Sequence, residues 1–382
     1  MKKTQMILYV FALMSFVIGM ANFIFNGILD KIAFDLGISI AQAGLLITSA
    51  TLGAAFGSPL VLLVFAKTNR KHLILGLLIA SALTLAMIGF AQSYELVLVA
   101  RFLNGLSLNS YGILSFAMVL SLSDPDKQGR SLAFLITGTT ISLIIGIPLT
   151  RVLADVISWR ILFYAFALIT FVVTYVFYLK LPKDKAHHER PHIKEEFKYL
   201  KNSKVLFIYA YTIFMFIAYG VMMTYATPFI IERFPELEKW MTVILVLMGI
   251  STFFGNNVGG YLNDKIGYAK SMFYGAILQT ISVILLIIFA KIGYLNVAFI
   301  VLLYFSAWLT GLHMNIGIIQ ITHKDANFVL SLNGSGVQLG VTIGSYVGSL
   351  IILSFGLAAI PYLALGGYIV TILIQGYDLF KN

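Results

Sequence analysis

Ionisable and amide side chains are rare inside the long apolar stretches of this chain, so each one there is a candidate for chemistry. Arg101 lies about two turns inside one stretch, His313 lies inside another with Asn315 two residues on, and Asp30 and Arg151 stand at stretch ends. Charge in an apolar interior is costly and usually functional. A guanidinium keeps its charge and offers five donors. Arg101 is therefore either a working cation or a clamp that ties its helix to a neighbour through carbonyls or amides. His313 is the deep side chain whose ordinary pKa lies near neutrality. It can carry a proton, contact a ligand, or stay neutral and bond to a neighbouring helix. Asn22 and Asn26, one turn apart, put two amides on one side, for a polar ligand or for interhelical bonding. Asn104, Asn109 and Tyr111 offer the same choice. Among Tyr209, Tyr211, Phe214, Phe216, Tyr219, Met222, Met223 and Tyr225, the pair Tyr219 and Met223 is the candidate for stacking on a flat organic molecule. The others pack or face lipid.

The elements that must position these groups are legible from charge spacing. Of 382 residues, 59% are hydrophobic and 11% charged, against roughly 25% charged in a soluble domain. A water-soluble enzyme and a disordered chain are both excluded. There is no cysteine, hence no disulfide frame and no thiol nucleophile. Windows free of Asp, Glu, Lys and Arg run over 4–29, 36–66, 73–94, 102–123, 131–150, 161–179, 205–231, 240–263, 271–290, 292–323 and 326–377. A crossing needs about 20 apolar residues, so the last window is two spans with a turn near Ser354-Phe355-Gly356. The expectation is an all-α polytopic membrane protein with twelve transmembrane helices, because lipid cannot satisfy an open strand edge. The first window is too long for a cleaved signal and lacks a small-x-small site.

Net charge is +10, and its placement reports topology. Lys2, Lys3, Lys67, Arg70, Lys71, Lys127, Arg130, the basic residues of 180–204, Lys265, Lys270, Lys324 and Lys381 fall on one side. Lys31, Arg101, Arg151, Arg160, Arg233, Lys239 and Lys291 fall at the other side or within a helix. By the positive-inside rule both termini are cytoplasmic, with no nucleic-acid partner implied. Residues 180–204 form the longest polar stretch and read as a cytoplasmic linker between a bundle over 1–179 and a second over 205–382. His187, His188 and His192 lie in that linker, with no acidic or cysteine partners to make a metal site.

Small residues recur every fourth position in four spans: Ser49/Gly53/Gly57, Gly138/Ser142/Gly146/Thr150, Ser251/Gly255/Gly259 and Gly336/Gly340/Gly344/Gly348. Such ladders let backbones approach closely. They fall in spans 2, 5, 8 and 11, as a three-helix unit used four times would place them. The expectation is that Gly53, Gly57, Gly146, Pro148, Gly255, Gly259, Gly340 and Gly344 line a seam along which two six-helix bundles rock.

Gly260-Tyr261-Leu262-Asn263-Asp264-Lys265-Ile266-Gly267-Tyr268-Ala269-Lys270 resembles the loop signature G-x-L-x-D-[RK]-x-G-x-x-[RK] of the major facilitator superfamily, whose fold is two six-helix bundles of 3+3 repeats. The first-half copy is degraded: Leu62 and Ala66 replace its Gly and Asp, while Lys67, Arg70 and Lys71 persist. Asp35-Leu36-Gly37-Ile38-Ser39, Gln42-Ala43-Gly44, Arg101-Phe102-Leu103-Asn104-Gly105, Pro125 to Arg130, Gly146-Ile147-Pro148-Leu149, Trp159-Arg160, Leu332-Asn333-Gly334-Ser335 and Leu339-Gly340 resemble the twelve-span drug:H⁺ antiporter branch. Within it the likeness is to sugar-efflux and chloramphenicol-type exporters. The resemblance implies a role for Arg101 in proton coupling or substrate response. Where that branch often has an acid in helix 1, this chain has Asn22, which cannot hold a proton, so coupling falls to His313, Asp30 or another group, or is absent. Asp264, with Gly260, Lys265, Gly267 and Lys270, reads as a cytoplasmic latch whose partner by repeat symmetry is the start of helix 5 near Arg130.

The function expected is a secondary transporter in the cell membrane, active as a monomer, that exports a small organic molecule (a drug, sugar or metabolite) in exchange for protons by alternating access. Uptake or facilitated diffusion on the same fold is the alternative. No cofactor is implied: there is no G-x-x-x-x-G-K-[ST]. An embedded enzyme is disfavoured by the absence of H-E-x-x-H and G-x-S-x-G. A non-transporting sensor would need an added signalling domain.

Overall fold

The computed structural model describes residues 2–65, 68–182, 197–322 and 327–381. Among them twelve helices are long and apolar enough to cross a membrane. They are α1 (Lys2–Leu36), α2 (Ile40–Val64), α3 (Arg70–Phe90), α4 (Tyr94–Leu122), α5 (Gln128–Val156), α6 (Trp159–Lys180), α7 (Ser203–Arg233), α8 (Met241–Ile266), α9 (Tyr268–Ile288), α10 (Gly293–Thr322), α11 (Asn327–Phe355) and α12 (Ile360–Lys381). The expected all-α, twelve-span architecture is thus present.

Polar residues at the window edges set where helices start. Ser39 and Gln42 form a reciprocal capping box: Gln42 N donates to Ser39 Oγ at 3.1 Å, and Ser39 N to Gln42 Oε1 at 3.0 Å. Asn69, Ser93, Ser158 and Asn202 accept from the first-turn amides of α3, α4, α6 and α7. Three glycines take positive φ at turns, Gly37 (63°), Gly267 (79°) and Gly356 (75°), a region that suits a residue without Cβ. Gly356 closes the turn expected inside the last window. Between α4 and α5, exposed Asp124 accepts from Lys127 Nζ at 2.8 Å, and that hydrogen bond and the ammonium charge hold its carboxyl below the usual range.

Three of these helices are interrupted, one of them α1 at Ile28 (φ −132°, ψ 25°). α5 contains a π-helical turn at Ser142–Gly146 just before Pro148, whose missing N–H and ring disturb the regular ladder. α10 breaks between Gly311 and His313.

The chain forms two compact units, Met1–Ile38 with Ser49–Arg190, and Ser39–Thr48 with Pro191–Asn382. The division differs from the expected one in assigning Ser39–Thr48, the start of α2, to the second unit, where Thr48 Oγ1 and Ser345 Oγ lie 2.7 Å apart. Of the linker expected over 180–204, α6 takes Lys180 and α7 begins at Ser203. His187, His188 and His192 lie outside the described residues.

The glycine ladders pack inside the units. In the first, the Gly53 and Gly57 positions abut the carbonyls of Phe102 and Leu106 on α4, and Gly138 and Gly146 abut Ala12 and Met20 on α1. In the second, Gly255 and Gly259 abut the carbonyls of Phe305 and Leu309 on α10, while Gly340 and Gly344 abut those of Ile213 and Ile217 on α7. Each ladder helix thus grips the first helix of the companion triplet in its own unit. At these positions the neighbour belongs to the same unit, so the glycines secure close backbone packing there.

Candidate functional site

In the first unit, the charged groups gather where α1 meets α4, α5 and α6. Arg101, 1% exposed, donates from Nη1 to the Ala21 carbonyl on α1 at 3.3 Å. Its guanidinium carbon stands 4.3 Å from the centre of the Phe25 ring, a cation–π contact strengthened by desolvation. Asn22 and Asn26 occupy the same stretch of α1, Asn22 half-buried and Asn26 buried. α1 is broken just beyond, at Ile28 (φ −132°, ψ 25°). There Arg151 of α5 reaches the Gly27 carbonyl at 2.8 Å and both oxygens of Asp30 at 3.0 and 3.2 Å. Past the break Lys31 pairs with Asp155 of α5, and Asp35 accepts from Arg160 and, at 3.1 Å, from the Trp159 indole of α6.

Asn104 and Asn109 turn to neighbours. Asn104 Nδ2 donates to Thr84 Oγ1 on α3 at 3.1 Å, and Asn109 Nδ2 to the Ala54 carbonyl on α2 at 2.9 Å. Both act as interhelical ties. Tyr111 is fully buried.

In the second unit the interior is neutral and aromatic. Tyr219 is buried, accepts from the Trp308 indole at 3.2 Å, and meets the Tyr304 ring edge-on at 5.4 Å. Tyr368 of α12 is fully buried. Met223, one turn from Tyr219, is half-buried. Asn333 of α11 joins three helices: its Oδ1 accepts from Thr212 on α7 at 2.8 Å, and its Nδ2 donates to Asn315 on α10 at 3.0 Å. His313, fully buried at the break in α10, has Nε2 2.9 Å from the Gly259 carbonyl. Facing a carbonyl, Nε2 carries the proton and donates.

At the loop between α8 and α9, Gly267 supplies the positive φ that ends one helix and starts the next. Asp264, Lys265 and Lys270 are exposed there, as is Arg130 at the start of α5. Asp264 accepts from Asn263 Nδ2 at 3.4 Å, and Lys265 lies 4.5 Å from the Tyr261 ring centre. Gly260 has open space around its Cβ position. In the first unit Lys67 lies outside the described residues, while Lys71 donates to the carbonyls of Tyr178 and Leu181 at 2.8 and 2.6 Å, capping the end of α6 with a cation.

Pattern reading placed Arg151 and Asp30 separately and missed that they meet; the opposite charges at the outer ends of spans 1 and 5 were the available signal. It also missed Trp308, Tyr304 and Tyr368, which look like any other apolar-span aromatics. Among the described residues no three His, Asp or Glu side chains converge to hold a metal.

Twelve spans whose interior holds isolated cations, amides and phenols define a multi-pass membrane protein with polar groups held away from lipid. Residues 11–324 match the model of the Major Facilitator Superfamily. The chain belongs to that family of secondary transporters. Similar proteins include the uncharacterized MFS-type transporter YbcL of Bacillus subtilis (strain 168), 29% identical over 96% of this chain and 94% of that one. Another is a chloramphenicol resistance protein of Streptomyces lividans, 27% identical over 68% and 67%. Among solved structures, the partially occluded inward-open xylose transporter XylE from E. coli superposes with a TM-score of 0.76 over 98% of both chains at 12% identity, a likeness of fold alone.

Proposed function

We propose that this transporter exports a small organic molecule in exchange for protons, by alternating access in the cytoplasmic membrane, with both termini inside. The observation that carries the reading is Arg101, a desolvated cation bonded to the Ala21 carbonyl of α1, next to Asn22 and in the same stretch as Asn26. A proton or substrate arriving at that stretch of α1 changes the field on the cation, which is the physical requirement for coupling. The likeness to a chloramphenicol resistance protein favours outward movement. Asn22, Asn26, Tyr219 and Met223 contact the substrate, His313 and Asp30 are the groups able to take the proton, and Asp264 latches to the start of α5 near Arg130. Asn22 also favours a second reading, facilitated diffusion without protons, because an amide cannot titrate.

The test is drug accumulation in a host lacking its own exporters, with chloramphenicol and ethidium as probes. Export predicts accumulation at least about tenfold lower on expression, equivalent to about 1.4 kcal/mol of gradient, and abolished by a protonophore. Arg101→Ala restores full accumulation while the protein still inserts. Accumulation unchanged by the protonophore establishes the second reading.

A further inference from the structure

A sharp break in a helix has few causes: proline, a glycine–serine pair, a π-bulge, or a side chain inserted into the backbone ladder. α1 contains neither a proline nor a Gly–Ser pair, and Ile28 alone departs from helical geometry. What stands at the break is Arg151. Its Nη1 takes the Gly27 carbonyl at 2.8 Å, which in an unbroken helix accepts from the amide four residues on, and the same guanidinium holds Asp30 through both carboxylate oxygens. Its side chain is 4% exposed and that of Asp30 is 21% exposed.

The second unit supplies the comparison. Ala12, Ser15 and Met20 face Gly138 and Gly146 as Ile213, Phe216 and Val221 face Gly340 and Gly348. Continuing that register along the chain, Gly27 falls at Pro228, Asp30 at Ile231, and Arg151 at Leu353. The second unit thus places a proline inside α7 where the first has Gly27, and has apolar residues where the first has its ion pair.

We propose that Arg151 is a positioning residue: by capturing the Gly27 carbonyl and bracing on Asp30 it breaks α1, and so sets the angle between the Asn22/Asn26 stretch and the outer segment Asp30–Leu36. The bearing on transport rests on the export function proposed above; the break itself does not.

The test is amide hydrogen exchange on the full chain in lipid nanodiscs. Asp30→Asn/Arg151→Leu removes both charges together, leaving neither buried alone. The ladder across Ile28 then closes, and exchange over residues 28–33 slows about tenfold. Adding Lys31→Pro, which removes the amide that would close onto the Gly27 carbonyl, reopens it and returns exchange to the wild-type rate. Simple loss of packing predicts the opposite sign, so exchange that is unchanged or faster in the double variant overturns the proposal. Lys31→Pro alone is the check that does not depend on the double variant folding. An existing break tolerates proline, so Tm and the exchange pattern stay as in the wild type; loss of the folded protein overturns the proposal. In the accumulation assay, failure of the wild type to export refutes the transport reading and leaves the exchange result standing.

Discussion

The two units use one backbone scaffold and fill it with different chemistry. Gly53 and Gly57 against Phe102 and Leu106 have their counterpart in Gly255 and Gly259 against Phe305 and Leu309, down to the residue types. In that register Arg101 of the first unit falls at Tyr304 of the second, Asn22 at Met223, and Asn26 at Thr227. Where the first unit buries a cation over Phe25, the second buries a phenol against Tyr219. Where α1 is held at its break by Arg151 and Asp30, α7 carries Pro228. The scaffold is constrained because helix-to-carbonyl contact leaves no room for a side chain; the groups between the ladders are free to diverge. Any asymmetry of function between the units therefore resides in these interior groups.

If the scaffold is truly shared, breaking it must cost alike in both units. Gly53→Leu and Gly255→Leu each force a side chain against a carbonyl, so each loses about 3 kcal/mol, read as collapse of the monodisperse fraction in size-exclusion chromatography. A loss at one site only breaks the comparison. The next effect is specific to the first unit. Asp30→Asn strands the nearly buried Arg151, costing about 2–3 kcal/mol after allowance for the partial exposure of Asp30. Asp30→Asn/Arg151→Leu is more stable than Asp30→Asn alone, and thermal unfolding of the wild type, both single variants and the double variant measures the coupling. Smaller still is the neutral tie of the second unit. Asn333→Ala leaves Thr212 and Asn315 short of partners and costs about 1–2 kcal/mol, visible as a lowered Tm with insertion intact. Smallest is Asp124→Asn. Its carboxyl sits below the ordinary range because of Lys127, so any stability from the pair is present above the ordinary carboxylate pKa and fades as pH falls through the lowered one. The pair is fully exposed, and the expected change in Tm at neutral pH is nil.

Much of the fold was legible before any coordinates. The windows free of charge locate the helices, although α1 (Lys2–Leu36) and α4 (Tyr94–Leu122) run well past theirs, and Gly356 closes the turn that the long last window required. The small-residue ladders marked where backbones touch, and the structure supplied the neighbours. A four-residue rhythm reports that a neighbour is close without saying which neighbour it is. The same limit applied to the polar groups. Asn104 and Asn109 look identical to Asn22 in sequence, but the first two are spent on Thr84 and the Ala54 carbonyl. Arg151 and Asp30 were each noticed at a span end, and only the crossing of α1 with α5 made them one device.

Amino-acid order alone determined that this chain is a stack of apolar helices, because twelve stretches without charge have no other way to satisfy their backbones in lipid. It also determined that the stack repeats, because the ladders recur in a fixed rhythm. Tertiary structure decided which helix each ladder grips, which amides are already occupied, and that α1 is broken by a guanidinium arriving from α5. Those outcomes depend on contacts between residues far apart in the chain, whose meeting is set by how helices neighbour one another and leaves no local mark on either segment.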